Sequence, residues 1–269
     1  METQSLPKLS REDIEKLRHI LIRTAQISFL CALCVAVGYL AMGLFPDKRS
    51  QAIAPVAVSW SPPAQYTLAS TNEDARVLIV CVELCTLHFI SKNNNDNILA
   101  NTIFGDGAAA VLVVPDNYPE ENYSGGIALN GFYSLLLEKG KGLMSWNITP
   151  VNFEMVLDSA IPVLIGEEVS EIIAKAKIKL GQGSKNIDKW AIHPGGKKIL
   201  DNIKKQLNLK DTDLQYSYKV LKEYGNMSSP TILFVLKEIF QAQHQPDETI
   251  FALGFGPGLN IETAIFTYA

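Results

Sequence analysis

Polar and apolar positions divide this chain into two unlike parts. Near the start, Ile14, Leu17, Ile20 and Leu21 recur at helical spacing, and Ser10 with Asp13 makes an N-cap box, so the pattern predicts a short amphipathic surface helix. From Thr24 to Pro46 there is then no charged residue. The run ISFLCALCVAVGYLAMGLF is long and apolar enough to cross a bilayer, and equally suited to burial as the central helix of a large core. Its flanks, Arg23 on one side and Asp47-Lys48-Arg49 on the other, leave the orientation of a membrane span undecided. Gln51 to Gln65 carries three prolines and no period, and reads as an irregular linker.

Beyond the linker the pattern changes to alternating strands and helices. VLIVCVEL after Arg76, AAAVLVV after Gly107 and TIFALGF near the C-terminus are continuous apolar runs, as expected of strands buried on both faces. Helical patterns cover Asn152 to Ala176 and Thr231 to Gln241, the second with Pro230 at its start. A further strand, KWAI, runs directly into His193-Pro194-Gly195-Gly196 and then into a helix. This order predicts a layered α/β body around a mostly buried sheet.

Composition narrows the class. A chain of 269 residues, 47% hydrophobic and 19% charged, can bury a sizeable core without disulfides or metals. A net charge of -4 with no long basic run gives nucleic acid no electrostatic footprint. The four cysteines lie in apolar stretches and read as small buried hydrophobes. Cys31 and Cys34 have CxxC spacing, yet no second pair or histidine set follows, so no metal site is expected. The polar opening METQSLPKLSREDIEKLRH is unlike a secretory signal, which makes the cytoplasm the expected compartment, with anchoring through residues 24–46 as the alternative.

Two junctions carry candidate chemistry. His193 sits where a strand ends, the edge at which open α/β sheets hold ligands. Tyr224-Gly225-Asn226-Met227-Ser228-Ser229-Pro230 is a Gly-Asn turn opening a helix, with Ser228 or Ser229 as its cap. The amide donors of Asn226, beside an imidazole, suit a negative charge growing on a thioester oxygen. Gly254-Phe255-Gly256-Pro257-Gly258 either lets a ligand approach the backbone closely or forms a tight turn after a strand.

Taken in order, ANTIFGDGAAAVLV, WAIHPGGKKIL, YGNMSSPTILFVL and GFGPG resemble the type III polyketide synthases of the chalcone and stilbene synthase family, and VCVELCTLHF resembles its bacterial branch. The resemblance runs from about Arg76 to Ala269. It implies a thiolase-like αβαβα fold whose N-terminal half is incomplete here: an atypical segment 1–65, the remainder of the first half at 66–150, and the second half at 151–269. It also implies a homodimer that condenses malonyl-CoA, with loss of carbon dioxide, onto an acyl-CoA starter; CoA thioesters are substrates and no cofactor is required. In such enzymes a Cys-His-Asn triad acts. The cysteine thiolate carries the acyl chain, an imidazolium lowers its pKa, and histidine and asparagine together hold the oxygen of the decarboxylating thioester. By motif the histidine is His193 and the asparagine Asn226. Phe104 falls at the family's aromatic gatekeeper, with ordinary core packing as the other reading. Ser228 lies beside the catalytic asparagine, and Gly254, Phe255, Gly256, Pro257 and Gly258 match the loop that scaffolds the cyclisation cavity.

The nucleophile does not follow. Counting back along the family's spacing lands in Ala54 to Trp60, APVAVSW, which contains no cysteine. Cys81 and Cys85 lie in or just after a strand, where apolar burial raises a thiol's pKa, and Cys31 and Cys34 come too early. MGLFPDKR, Met42 to Arg49, faintly resembles the family's stretch ahead of the nucleophile, and a family-like pattern resumes at Tyr66 to Arg76. A reading-frame or gene-model fault that replaced the Cys turn and created the apolar stretch is the favoured account. A shortened, catalytically inactive paralogue serving as a dimer partner and a membrane-anchored variant with other chemistry are the alternatives. Among enzymes, ketoacyl-carrier-protein synthase III shares fold and triad, while GFGPG and YGNMSSPT favour the polyketide side.

Overall fold

The structure, a computed structural model, describes residues 76–91, 94–115, 126–148, 153–184 and 186–268, all within the unit Val58–Ala269. The expected N-terminal helix, the apolar run 24–46, the linker 51–65 and the APVAVSW stretch lie outside the described residues. Among the described residues no helix is long and apolar enough to cross a membrane.

The central sheet has four strands in the order β3-β8-β7-β6: β3 (Ile127–Leu136), β6 (Lys189–Ile192), β7 (Thr249–Gly256) and β8 (Asn260–Tyr268). β6 and β7 run parallel, and β8 pairs antiparallel with β7 on one side and β3 on the other. β7 is therefore paired on both edges, and its residues Thr249 to Leu253 are buried, as its unbroken apolar run requires. Alternation sends its side chains into two cores. Phe251 and Leu253, with Ile192 of β6, join Ile165, Ile172, Leu200 and Ile203 of helices α2 (Ile161–Lys179) and α3 (Lys197–Gln206). Ile250 and Ala252, with Ala191, meet Val235 and Ile239 of helix α5 (Ser229–Gln241) and Val220 of helix α4 (Gln215–Tyr224). Helices thus cover both faces of the sheet, the layered α/β arrangement that the alternating pattern predicts.

Two further antiparallel pairs flank this body: β1 (Val77–Glu83) with β2 (Gly107–Val113), and β4 (Met144–Ile148) with β5 (Phe153–Leu157). Helix α1 (Asn95–Ile103) leads into β2, its N-cap Asn94 accepting the amide of Asn97 at 2.9 Å. Two expectations need correction. Neither β1 nor β2 is buried on both faces: Val77, Ile79 and Cys81 are half-buried, whereas Leu78 and Val82 of β1 and Leu112 of β2 are 55%, 60% and 52% exposed. Helix α5 packs against β1 and β2, and an all-apolar run does not distinguish a covered face from an uncovered one. The helix expected from Asn152 starts instead at Ile161, after β5 has paired with β4. Pro162 in the first turn marks that start, since its fixed φ and missing N–H suit this position alone in a helix.

Candidate active site

His193 directly follows β6 and continues its pairing, donating its backbone N–H to Leu253 O of β7 at 2.8 Å. Pro194 then lets the chain reverse, with Gly195 N–H returning to His193 O at 2.9 Å. From below, the buried Ser217 hydroxyl of α4 donates to Ile192 O at 2.7 Å, so the strand end that carries the imidazole is tied to a helix as well as to its sheet neighbour. The ring is buried, and burial alone pushes its pKa down to about 4. Near neutral pH His193 is an uncharged imidazole with one N–H to donate. The resemblance implied an imidazolium; that form requires a facing anion to offset desolvation, and burial is the one cause of the shift among the described residues.

Asn226 is placed by a close crossing of two backbones. Phe104 and Asn226 form a parallel bridge in which Asn226 N–H donates to Ile103 O at 2.8 Å and Gly105 N–H donates to Asn226 O at 3.0 Å. Glycine is required on the crossing at Gly225, whose φ of 74° and ψ of -165° lie in a region other residues avoid and whose Cβ would stand 2.9 Å from Ile103 O. The side chain of Asn226 is buried and points toward the histidine's turn: its Nδ2 lies 3.4 Å from Gly195 O. Its Oδ1 accepts Ser228 N–H at 2.9 Å. The two turns predicted from sequence are therefore neighbours, one amide apart.

The remaining candidates lie around them. Phe104 is half-buried and, as Asn226's bridge partner, stands at the crossing itself. Gly254 follows Leu253, the acceptor of the His193 amide, and Gly254 to Gly256 carry β7 on past the end of β6, paired with Glu262, Ile261 and Asn260 of β8, before the chain turns at Pro257-Gly258. Of the two readings of these glycines, the tight turn applies at Gly258, with φ of 78°, while Cβ atoms at Gly254 and Gly256 would meet nothing within 4 Å. Ser228 occupies the N-cap position of α5 but makes no side-chain cap bond. Its backbone has φ of 59° and ψ of -126°, and the hydroxyl of the next residue, Ser229, donates to Glu83 at 2.6 Å.

Three side chains around the crossing were missed in the sequence. Asp106 grips the turn after β1 with both oxygens, accepting Thr86 N–H at 2.8 Å and the Thr86 hydroxyl at 2.6 Å, and these bonds hold its carboxyl below the ordinary range. Glu83 joins the end of β1 to the start of α5 through Ser229. Thr231, fully buried, accepts Met227 N–H at 2.8 Å. An acid between two glycines and a threonine three residues after a serine are the signals that would have found two of them. Cys81 and Cys85 are half-buried, and burial, followed by the charges of Glu83 and Asp106, pushes Cys85 up to about 11. Among the described residues no group of three or more His, Cys, Asp or Glu side chains is arranged to hold a metal ion.

A central sheet covered by helices on both faces defines the class: a thiolase-like α/β fold. Within it, residues 132–268 match the C-terminal domain of chalcone and stilbene synthases and residues 64–117 match the N-terminal domain of the same enzymes. The chain belongs to the chalcone and stilbene synthase family. Among solved structures it is similar to the C-terminal type III polyketide synthase domain of Steely1, a type I/III hybrid from Dictyostelium, with 29% identity and a TM-score of 0.68 over 75% of this chain. The match spans 56% of that domain's chain, so a large share of the relative has no counterpart in the aligned residues.

Proposed function

We propose that this chain is an acyltransferase of the type III polyketide synthase kind, carrying out decarboxylative condensation of malonyl-CoA with an acyl-CoA starter as a cytoplasmic homodimer. The observation that carries the reading is the proximity of the two turns, with Asn226 Nδ2 3.4 Å from a carbonyl of the turn that holds His193. A buried neutral imidazole and a carboxamide offer two uncharged N–H donors, and such donors act strongly where water is excluded. As the carboxylate of malonyl-CoA leaves as carbon dioxide, its bonding electrons pass into the thioester to give an enolate, whose oxygen these donors would hold. The enolate carbon then attacks an acyl thioester, forming the new carbon–carbon bond and expelling thiolate.

Phe104 at the crossing and the Gly254–Gly258 segment, which follows the acceptor of the His193 amide, would bound the growing chain. Purified protein given malonyl-CoA labelled in its free carboxyl, with a fatty acyl-CoA, tests the reading. His193→Ala should abolish carbon dioxide release and Asn226→Ala should cut it by about 10²-fold or more, the usual cost of one oxyanion donor. Unchanged release in both variants overturns the assignment.

A second reading is favoured by two observations: APVAVSW, where the family's nucleophile is expected, contains no cysteine, and Cys85 is held as a thiol. On that reading the chain is an inactive paralogue that pairs with an intact homologue. Any pyrone or resorcinol product from the purified chain alone refutes it.

A further inference from the structure

An asparagine side chain is nearly symmetric in shape and opposite in function at its two ends, so a half-turn of the amide would replace the donor at the proposed site with a repelling carbonyl oxygen. The surrounding hydrogen bonds decide which end faces inward. Ser228 N–H lies 2.9 Å from Asn226 Oδ1, and a backbone N–H can only donate, so the atom facing it must be the oxygen. That amide reaches Oδ1 because Ser228 adopts φ of 59° and ψ of -126°, a conformation a serine keeps only under constraint. The constraint comes from Thr231. Its hydroxyl accepts Met227 N–H at 2.8 Å, its own N–H donates to Ser228 O at 3.1 Å, and its hydroxyl hydrogen has Asn226 Oδ1 before it at 3.5 Å.

We propose that Thr231 is a positioning residue for Asn226, fixing the Met227-Ser228 turn so that the Asn226 amide presents nitrogen, and not oxygen, toward the His193 turn. The inference rests on the reading of Asn226 as an oxyanion donor. Thr231 itself is fully buried in the first turn of α5 and acts only through the turn and the amide oxygen. Its hydroxyl works as the third-position side chain of a capping box does, reaching back to a backbone N–H ahead of the helix.

Two measurements on the full chain test this. In the first, the Asn226 side-chain NH2 signals are assigned in a nitrogen–proton spectrum by their loss in Asn226→Asp. Thr231→Val should shift or broaden that pair, and Thr231→Ser should restore it. Thr231→Ala replaces Thr231→Val if the latter does not fold. In the second, carbon dioxide release from malonyl-CoA should fall about tenfold in kcat at unchanged KM in Thr231→Val, short of the 10²-fold or greater loss of the donor outright. It should recover in Thr231→Ser, and Thr231→Val should add nothing on an Asn226→Ala background. Unmoved amide signals with undiminished kcat in Thr231→Val overturn the positioning role and leave the Asn226 reading standing, as does a loss repeated in full on the Asn226→Ala background. Unchanged release in Asn226→Ala overturns both. The spectrum needs no turnover and decides the positioning role even in a chain without activity.

Discussion

Gly225→Ala is the sharpest perturbation of the crossing that places Asn226. Two costs add. The backbone at φ of 74° and ψ of -165° is essentially reserved for glycine, and holding alanine there costs on the order of 1–3 kcal/mol. The new Cβ would also stand 2.9 Å from Ile103 O, and since both are fixed to backbone neither can swing aside. The segments must part by about half an ångström to reach ordinary contact, which weakens the 2.8 Å and 3.0 Å bonds of Asn226 with Ile103 and Gly105 at about 1 kcal/mol each. The expected total is about 3–5 kcal/mol. With a urea m-value of roughly 3 kcal/mol per molar, the unfolding midpoint should fall by about 1–1.7 M. Gly254→Ala is the internal control: its Cβ would meet nothing within 4 Å, and a change within about 0.5 kcal/mol is expected. A Gly225→Ala midpoint indistinguishable from that control refutes the crossing as the device that places Asn226.

Further outcomes follow from the same geometry. Ser228→Gly should stabilise the chain by about 1 kcal/mol, raising Tm by roughly 2–4 °C, because glycine occupies φ of 59° without the penalty serine bears; a lowered Tm in calorimetry argues against strain there. The folded pKa of His193 lies below its unfolded value, so its contribution is complete above about pH 6.5 and is lost as pH falls toward about 4, up to about 3 kcal/mol. Urea midpoints at pH 7, 6 and 5 should fall in the native chain and fall less in His193→Gln; parallel curves would count against a buried, neutral ring. Cys85, held up to about 11, should react with iodoacetamide at pH 8 about a hundredfold more slowly than an unperturbed thiol, read by mass spectrometry of the labelled peptide; fast labelling would reopen Cys85 as a nucleophile.

What the sequence made legible was local. KWAI-HPGG and YGN-MSSP each pack a strand or helix end, a glycine turn and a following helix into a few residues, so both junctions are legible from the residue pattern alone. β7 was legible because a strand paired on both edges and covered on both faces must be apolar throughout. β1 shows the limit of the same logic: its run is as apolar as β7's, yet Leu78 and Val82 face outward, since the pattern records what a strand tolerates and not what covers it. The strand at Phe153 was absorbed into a helix because Phe153, Met155 and Leu157 fit a period of two while Val156 and Ile161 extend them into a helical spacing. Only its pairing with Met144–Ile148, which no local pattern displays, distinguishes it as a strand.

The protonation state of His193 and the orientation of Asn226 were illegible for a deeper reason. Both depend on three-dimensional quantities, the burial of a ring and the sign of one dihedral at Ser228, that no residue pattern displays. They nevertheless bear on how the chemistry divides. The donors proposed for the enolate are set by β6, β7, α4, α5 and the Gly105 crossing, all within the described residues, whereas the family's nucleophile is expected in APVAVSW, which lies outside them. Decarboxylation needs the enolate donors and no covalent acyl carrier; condensation on an enzyme-bound chain needs both. On the proposed reading the two half-reactions are therefore separable in this chain, and carbon dioxide release without product would locate the defect in the acyl-carrying step while leaving the His193 and Asn226 turns intact.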